Sequence, residues 1–440
     1  MAEELSIEPD SFGIDVQWPS DPEAGGNPQL DASLSRFEMK VGASAITAYL
    51  TDLGTKNRYL TVPAYYLVEW LAQNWWAFLY EPKKLDRSDA DSEFRSRHWF
   101  GFPRHGIALP DVMFVPSGET IEIVARQAYL RFAQLSFTEA SVSAVRTTDV
   151  KTELHKFINA VLDHMKQKGV GSSDAHEAWK KVIETSAEQE EYCRLIGSMG
   201  LSPYVEHPEI DAALESVSDT ISQSALVDLC EATTLGNFKR AAEFTGRIAE
   251  ALRNSGSFDV TPLTRLAKPK DNVTRAYEWG YNAAAQVRNA LGIAHDSPEG
   301  RKEFFKKLGF DPSQAADLGN PVSTIFPIQG AVGRAKSEFK LALSSGTDKE
   351  FSAARGSFLA WVSNDESSRL VTTSRTRQQQ ASRAFGAELL APASYLEKRL
   401  GKEKDVSTFL LDKVSGEIGV ASTIVRLQAQ NHGYRLLEAA

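Results

Sequence analysis

The chain has 440 residues, 42% of them apolar and 24% charged, and a formal net charge of −9. These proportions lie near the averages of globular proteins and exclude a disordered or membrane-embedded class. The length exceeds the roughly 100–200 residues of one domain, so two or three hydrophobic cores are expected. The acidic balance argues against a general nucleic-acid coat. It is unevenly spread: residues 331–440 carry 16 Lys/Arg against 12 Asp/Glu, an excess too small to define a partner on its own. Cys193 and Cys230 are the only cysteines, too few for a disulfide framework, and read as helix-face core residues. The longest apolar-rich stretch, 65–80, is broken by Glu69, Gln73 and Asn74, and no run reaches the ~20 residues of a bilayer span. The start, Met1-Ala2-Glu3-Glu4-Leu5, is acidic where a secretory signal would be basic and then apolar. A cytoplasmic location and no membrane partner are expected.

Residues 1–35 alternate short apolar pieces with Trp18-Pro19-Ser20-Asp21-Pro22 and Gly25-Gly26-Asn27-Pro28, and read as an extended, loop-rich lead-in. Short β-like runs follow at 37–41, 45–50, 112–115, 120–126 and 129–137, with a hairpin-type turn at 115–120. A helix over 64–80 carries Leu67, Leu71 and Trp75 at four-residue spacing with Trp70 and Trp76 beside them. This predicts an α+β domain over 1–147.

Residues 148–265 read as a helical bundle. Leu154, Phe157, Val161 and Met165 mark one face and Trp179, Val182 and Ile183 another; further helices are expected at 188–199, 208–224, 224–235 and 237–253, with breaks at Gly200, Pro203 and Gly236. A polar linker over 261–272 then opens a last domain, 273–440, with helices at 273–291 and 298–308, a short segment at 325–329, the Leu341 region, and the helix containing Phe351-Ser352-Ala353-Ala354-Arg355-Gly356-Ser357-Phe358-Leu359-Ala360-Trp361. The predicted class is α+β, predominantly helical.

The stretch from Arg377-Gln378-Gln379-Gln380-Ala381 to Ala391-Pro392, with Ile418-Gly419-Val420-Ala421-Ser422 and Gln430-Asn431-His432-Gly433, resembles the C-terminal half of the ImmA/IrrE metallopeptidase family. The resemblance covers about 273–440 and implies a zincin-like domain. That family carries H-E-x-x-H, two imidazoles one helical turn apart that grip Zn²⁺ and a Glu that deprotonates its water. Here the frame falls on Arg355, Gly356, Ser357, Phe358 and Leu359. Arg355 stays protonated, Gly356 has no base, and Leu359 has no donor atom. The family's third ligand position is matched by Gln380, a poor Zn²⁺ ligand. None of the eight histidines, His98, His105, His155, His164, His176, His207, His295 and His432, forms H-x-x-x-H, so the domain reads as degenerate, with no catalytic residues, metal or cofactor.

Other constellations have two readings each. The 97–105 segment interleaves Arg97, His98, Arg104 and His105 with Trp99, Phe100 and Phe102; it suits base stacking and phosphate contact, or a structural segment with Trp99 and Phe102 buried. The tandem Trp75-Trp76 is a recognition platform or core. His176-Glu177 is half a metal motif or the first turn of a helix. Arg369, Arg375, Arg377 and Arg383, with Arg355, offer forks for an anionic ligand or acidic peptide, or lie on a solvated face. The 412–433 stretch has helix-turn-helix spacing but Arg426 as its only Lys/Arg between Lys413 and Arg435, so direct nucleic-acid binding is not expected. By resemblance, a degenerate member binds a regulator or defence-related protein without cutting it. The alternatives are an active metallopeptidase with atypical ligands acting on a helix-turn-helix repressor, and a structural subunit of an oligomeric defence assembly; a homo-oligomer is a further partner expectation.

Overall fold

A computed structural model describes residues 11–19, 26–84, 88–103, 105–271, 275–297, 299–319, 326–335, 338–345, 348–363 and 367–437. The chain is α+β and predominantly helical, with its strands in several small, mainly antiparallel sheets. It divides into two compact units, residues 1–207 with 375–377, and residues 208–374 with 378–440. None of its helices, among the described residues, is long and apolar enough to cross a membrane.

The first unit begins with β1 (Phe12–Gln17), α1 (Pro28–Ala32), β2 (Leu34–Val41), β3 (Ser44–Ala45), β4 (Tyr49–Thr51), β5 (Lys56–Asn57) and β6 (Leu60–Pro63). It continues through α2 (Tyr65–Tyr80), α3 (Ser88–His98), β7 (Asp111–Pro116), β8 (Thr120–Arg126), β9 (Ala128–Leu130), β10 (Leu135–Phe137), β11 (Ser141–Arg146), α4 (Thr147–Gln167), α5 (Asp174–Ile183) and α6 (Ala187–Ser198). The expected lead-in holds a strand: β1 pairs with β2 along its whole length, Phe12 opposite Val41 and Gln17 opposite Arg36. Gly13 and Asp15 mask it in the sequence, since neither favours a strand by itself and the pairing is what stabilises it. The β7–β8 hairpin turns at Gly118, whose φ of +87° suits glycine. The single run expected over 129–137 is two strands, β9 and β10, folded on each other by a turn.

Helix α2 is the centre of this unit's core, with Leu67, Leu71, Trp75 and Trp76 buried. Trp75 meets Trp179 of α5 edge-on at 4.9 Å, Phe37 of β2 meets Phe157 of α4 at 5.6 Å, and the Trp76 indole N–H donates to Tyr204 at 2.8 Å. One apolar cluster therefore runs from Phe12 to Cys193. Helix α4 packs on β1 and β2, and α5 and α6 pack on α2, where the sequence grouped all three with later helices in a separate bundle.

The second unit contains α7 (Pro208–Ser218), α8 (Gln223–Ala232), α9 (Phe238–Asn254), β12 (Phe258–Asp259), α10 (Thr261–Thr264), α11 (Ala276–Leu291), α12 (Gly300–Lys307), β13 (Ala316–Asp317), β14 (Ile328–Ala335), β15 (Glu338–Leu343) and α13 (Lys349–Val362). After these come β16 (Ser368–Thr372), α14 (Arg377–Leu390), α15 (Ala393–Leu400), β17 (Asp405–Ser407), α16 (Thr408–Ile418), α17 (Ser422–Asn431) and β18 (Arg435–Leu437). Its main sheet has the order β12-β15-β14-β16, antiparallel throughout, with β13 parallel on β15. The expected 325–329 segment is the start of β14; Ile325 itself, like Asn272 of the linker and Pro298, lies outside the described residues. Every residue of α13 from Ser352 to Trp361 is buried, the signature of a helix enclosed on all sides. A Cβ on Gly356 would stand 2.8 Å from Leu341 Cδ1 of β15, and one on Gly386 would stand 3.0 Å from the Phe351 ring. Glycine at these two places lets α13 lie close to the sheet and to α14.

Candidate functional site

Arg355 projects from the enclosed helix α13 and is 1% exposed. A charged group is rarely buried unless hydrogen bonds replace its water, and Arg355 is met on every nitrogen. Its Nε donates to Ser382 Oγ at 3.2 Å, and one Nη2 donates both to the Thr372 carbonyl at 2.6 Å and to Gln379 Oε1 at 2.9 Å. The other terminal nitrogen donates to Gln329 Oε1. One side chain thus ties α13 to β14, β16 and α14. All four acceptors are neutral, and burial, with Arg383 as a like charge, holds the guanidinium well below its ordinary pKa.

Gln379 carries the network to the edge of the sheet. Its Oε1 also accepts the Thr372 N–H at 3.1 Å, while its Nε2 donates to the Leu370 carbonyl at 2.6 Å and to Asp228 Oδ1 at 3.3 Å. A primary amide has the donor and acceptor of a peptide group, and here it stands where the next strand's backbone would. Asp228 of α8 accepts the Leu370 N–H at 2.9 Å. Ser222, the N-cap of α8, accepts the Ser368 N–H at 3.2 Å and donates to the Ser368 carbonyl at 2.9 Å. The Thr372 carbonyl takes a second donation, from Arg383 at 3.3 Å. The alternate residues Ser368, Leu370 and Thr372 therefore have both backbone groups satisfied by side chains. An edge strand is ordinarily a template for a further strand; this one is closed by Ser222, Asp228, Gln379, Arg355 and Arg383.

Arg369 secures the closure. Its Nε and Nη2 grip the two Asp228 oxygens at 2.7 and 2.8 Å, and Nη1 donates to Gln378 Oε1. Burial acts to lower the Arg369 pKa, but Asp228 outweighs it and holds the group above its ordinary value. Arg383 is half-buried and also donates to the Ser374 carbonyl at 2.7 Å. Arg375 and Arg377 group with the first unit. Of the five arginines expected to present forks to one ligand, Arg355 and Arg369 spend theirs on the protein's own strand and on Asp228.

The family's metal frame can be tested against this donor set. At its positions stand a guanidinium already donating four bonds, a glycine packed on Leu341, and Leu359 in the apolar core. Gln380 is half-buried and adjacent to Gln379, the residue that reaches Arg355. A guanidinium and an alkyl chain have no lone pair for Zn²⁺, so these residues do not fit the ion. Among the described residues, no group of three or more His, Cys, Asp or Glu side chains is disposed to hold a metal.

The remaining singled-out residues have structural surroundings. His98 is fully buried, Arg97 pairs with Glu81 through bonds of 2.7 and 2.8 Å, and the Trp99 indole donates to Asp111 at 2.7 Å. Phe100, not Phe102, is the aromatic that enters the core; Phe102 is exposed, and Arg104 lies outside the described residues. His176 sits in the first turn of α5 behind its N-cap Ser173, and His432 is the C-cap of α17. Sequence reasoning missed Asp228, Ser222, Gln329 and Gln379. Asp228 had one signal, a lone carboxylate inside the apolar run from Ala225 to Cys230; the others look like ordinary polar residues. No protein-family model, curated protein or solved structure matches the chain.

Proposed function

We propose that this chain is a non-catalytic regulatory or scaffold protein that binds a protein partner, such as a repressor, a toxin–antitoxin component or a phage-defence component, and does not cleave it. One observation carries the reading: at the positions where the resembled peptidases place ligand and base, Arg355 is committed to holding β14, β16 and α14 together. The closed edge of β16 supports it further, because an extended peptide has no free backbone groups there to pair with. Partner binding then uses a surface other than this edge, without direct nucleic-acid contact, in the cytoplasm.

The test mixes the purified chain with the proteins encoded beside its gene, with added zinc. The expected result is a complex of defined mass by light scattering, with the partner intact by mass spectrometry after hours. Cleavage of that partner at one site, abolished by a chelator, would overturn the proposal.

A further inference from the structure

Far from this network in sequence, the first unit carries a cluster of exposed apolar side chains on its β5-β4-β10-β9 sheet. Leu53 is 94% exposed, Phe132 58%, Tyr129 56% and Leu50 39%. In the register Leu50 lies across from Ser136, and Ser136 from Tyr129, so these three share one face of the sheet. Leu130, Leu135 and Phe137 point the other way, into the core. Leu53 and Phe132 occupy the two turns, which are fastened side by side: the Asp52 N–H donates to the Gln134 carbonyl at 3.1 Å and the Tyr129 hydroxyl to Asp52 at 3.2 Å. Both turns have set shapes, with Gly54 at φ +82° and Gln134 at φ +49°. A non-glycine residue at positive φ is uncommon and persists where its surroundings hold it. Two neighbouring turns thus project apolar side chains outward from a fixed base.

The charges around them run against the rest of the chain. Lys56 stands across from Leu50 and Arg131 precedes Phe132, both exposed, while Arg126 lies at the end of β9 away from the turn and across from Asp111. Asp52, which accepts the Tyr129 hydroxyl, keeps its charge and leaves the two turns with an excess of one cation; Arg58 is taken by Glu38 at 2.7 Å. A net positive, apolar projection on a chain of net charge −9 is complementary to an anionic surface. Its convexity decides among anionic surfaces. A protein must offer a matching pocket, whereas a bilayer admits an apolar turn at the headgroup level, with cations on its phosphates and a tyrosine at the interface. We propose that the paired turns 51–55 and 130–134 dock the protein on an anionic lipid surface, inserting Leu53 and Phe132 while Lys56 and Arg131 meet the headgroups. This is a peripheral contact, independent of the β16 network.

Sedimentation of the full chain with vesicles tests it, using phosphatidylcholine alone and with about 30% phosphatidylserine, at low salt. The wild type is expected to sediment with the anionic vesicles and not with the neutral ones. L53D/F132D and K56E/R131E should each weaken this about tenfold or more with unchanged circular dichroism and melting. F132W should blue-shift its emission on the same vesicles. Equal sedimentation of wild type and both double variants, or none with either lipid, overturns the proposal. So does a concentration-dependent doubling of mass in solution that L53D/F132D abolishes, which assigns the patch to a second copy of the chain.

Discussion

Replacing Arg355 with methionine tests whether the buried guanidinium is a structural clamp. Met keeps most of the stem's volume but deletes four donations, to Ser382, Thr372, Gln379 and Gln329. Bonds from a charged donor contribute roughly 1.5–3 kcal/mol each, a gross loss of about 6–12 kcal/mol. Against this, removing a guanidinium that has no carboxylate partner relieves a desolvation cost of several kcal/mol. Partial re-pairing also helps: Gln379 Oε1 keeps the Thr372 N–H, and the Thr372 carbonyl keeps Arg383. The net expectation is a destabilisation of about 2–4 kcal/mol, or a melting temperature lower by about 5–12 °C for a unit of this size. Calorimetry reads the shift, and hydrogen exchange of α13 and β16 assigns it to the second unit. A variant as stable as the wild type, with unchanged protection of β16, would refute the clamp and mark Arg355 as a residue kept for a ligand.

Three further outcomes follow from the same geometry. Asp228→Asn breaks the fork with Arg369 and leaves that arginine buried without its anion, so a loss of about 3–5 kcal/mol in urea unfolding is expected. Gly356→Ala places a methyl against the movable end of Leu341 and gains helix propensity, so its stability should stay within about 1 kcal/mol of wild type, whereas Gly356→Glu buries a carboxylate and should lower expression of folded protein sharply. In the first unit, burial holds the His98 imidazole below its usual 6.5, against Glu81 and two backbone carbonyls that raise it. Glu81 lies below its usual 4.5: burial alone would raise it, and the Arg97 hydrogen bond leads the effects that outweigh this. Both folded values lie below the unfolded ones, so stability is full above about 6.5, falls first as His98 is forced to protonate, and falls again below about 4.5 as Glu81 does. A His98→Gln variant should flatten the upper step and keep the lower one; a melting temperature independent of pH between about 7 and 5 in the wild type would contradict this sign.

The elements with strong periodicity were legible in the sequence. Helix α2 was readable from Leu67, Leu71 and Trp75, α9 from the helical pattern that follows the break at Gly236, and the β7–β8 hairpin from the β-like runs on both sides of Gly118. Strand β1 was not, since pairing with β2 rather than its own composition makes it a strand. Nor was the assignment of α4 to α6 to the first core, because a helix's apolar stripe says that it packs and not against what. The position of Arg355 on a helix was readable; its partners were not. Asp228 lies 141 residues from Arg369 and Gln329 lies 26 from Arg355, and a glutamine that imitates a peptide group looks like any other glutamine.

The central claim is that Arg355 and its neighbours leave no place for a catalytic metal. Metal analysis of protein purified without chelator, followed by calorimetric titration with zinc, addresses it most directly. Far less than one zinc per chain is expected, with no saturable heat that R355M alters. One tightly held zinc per chain, removed by a chelator together with the β16 protection, would contradict it.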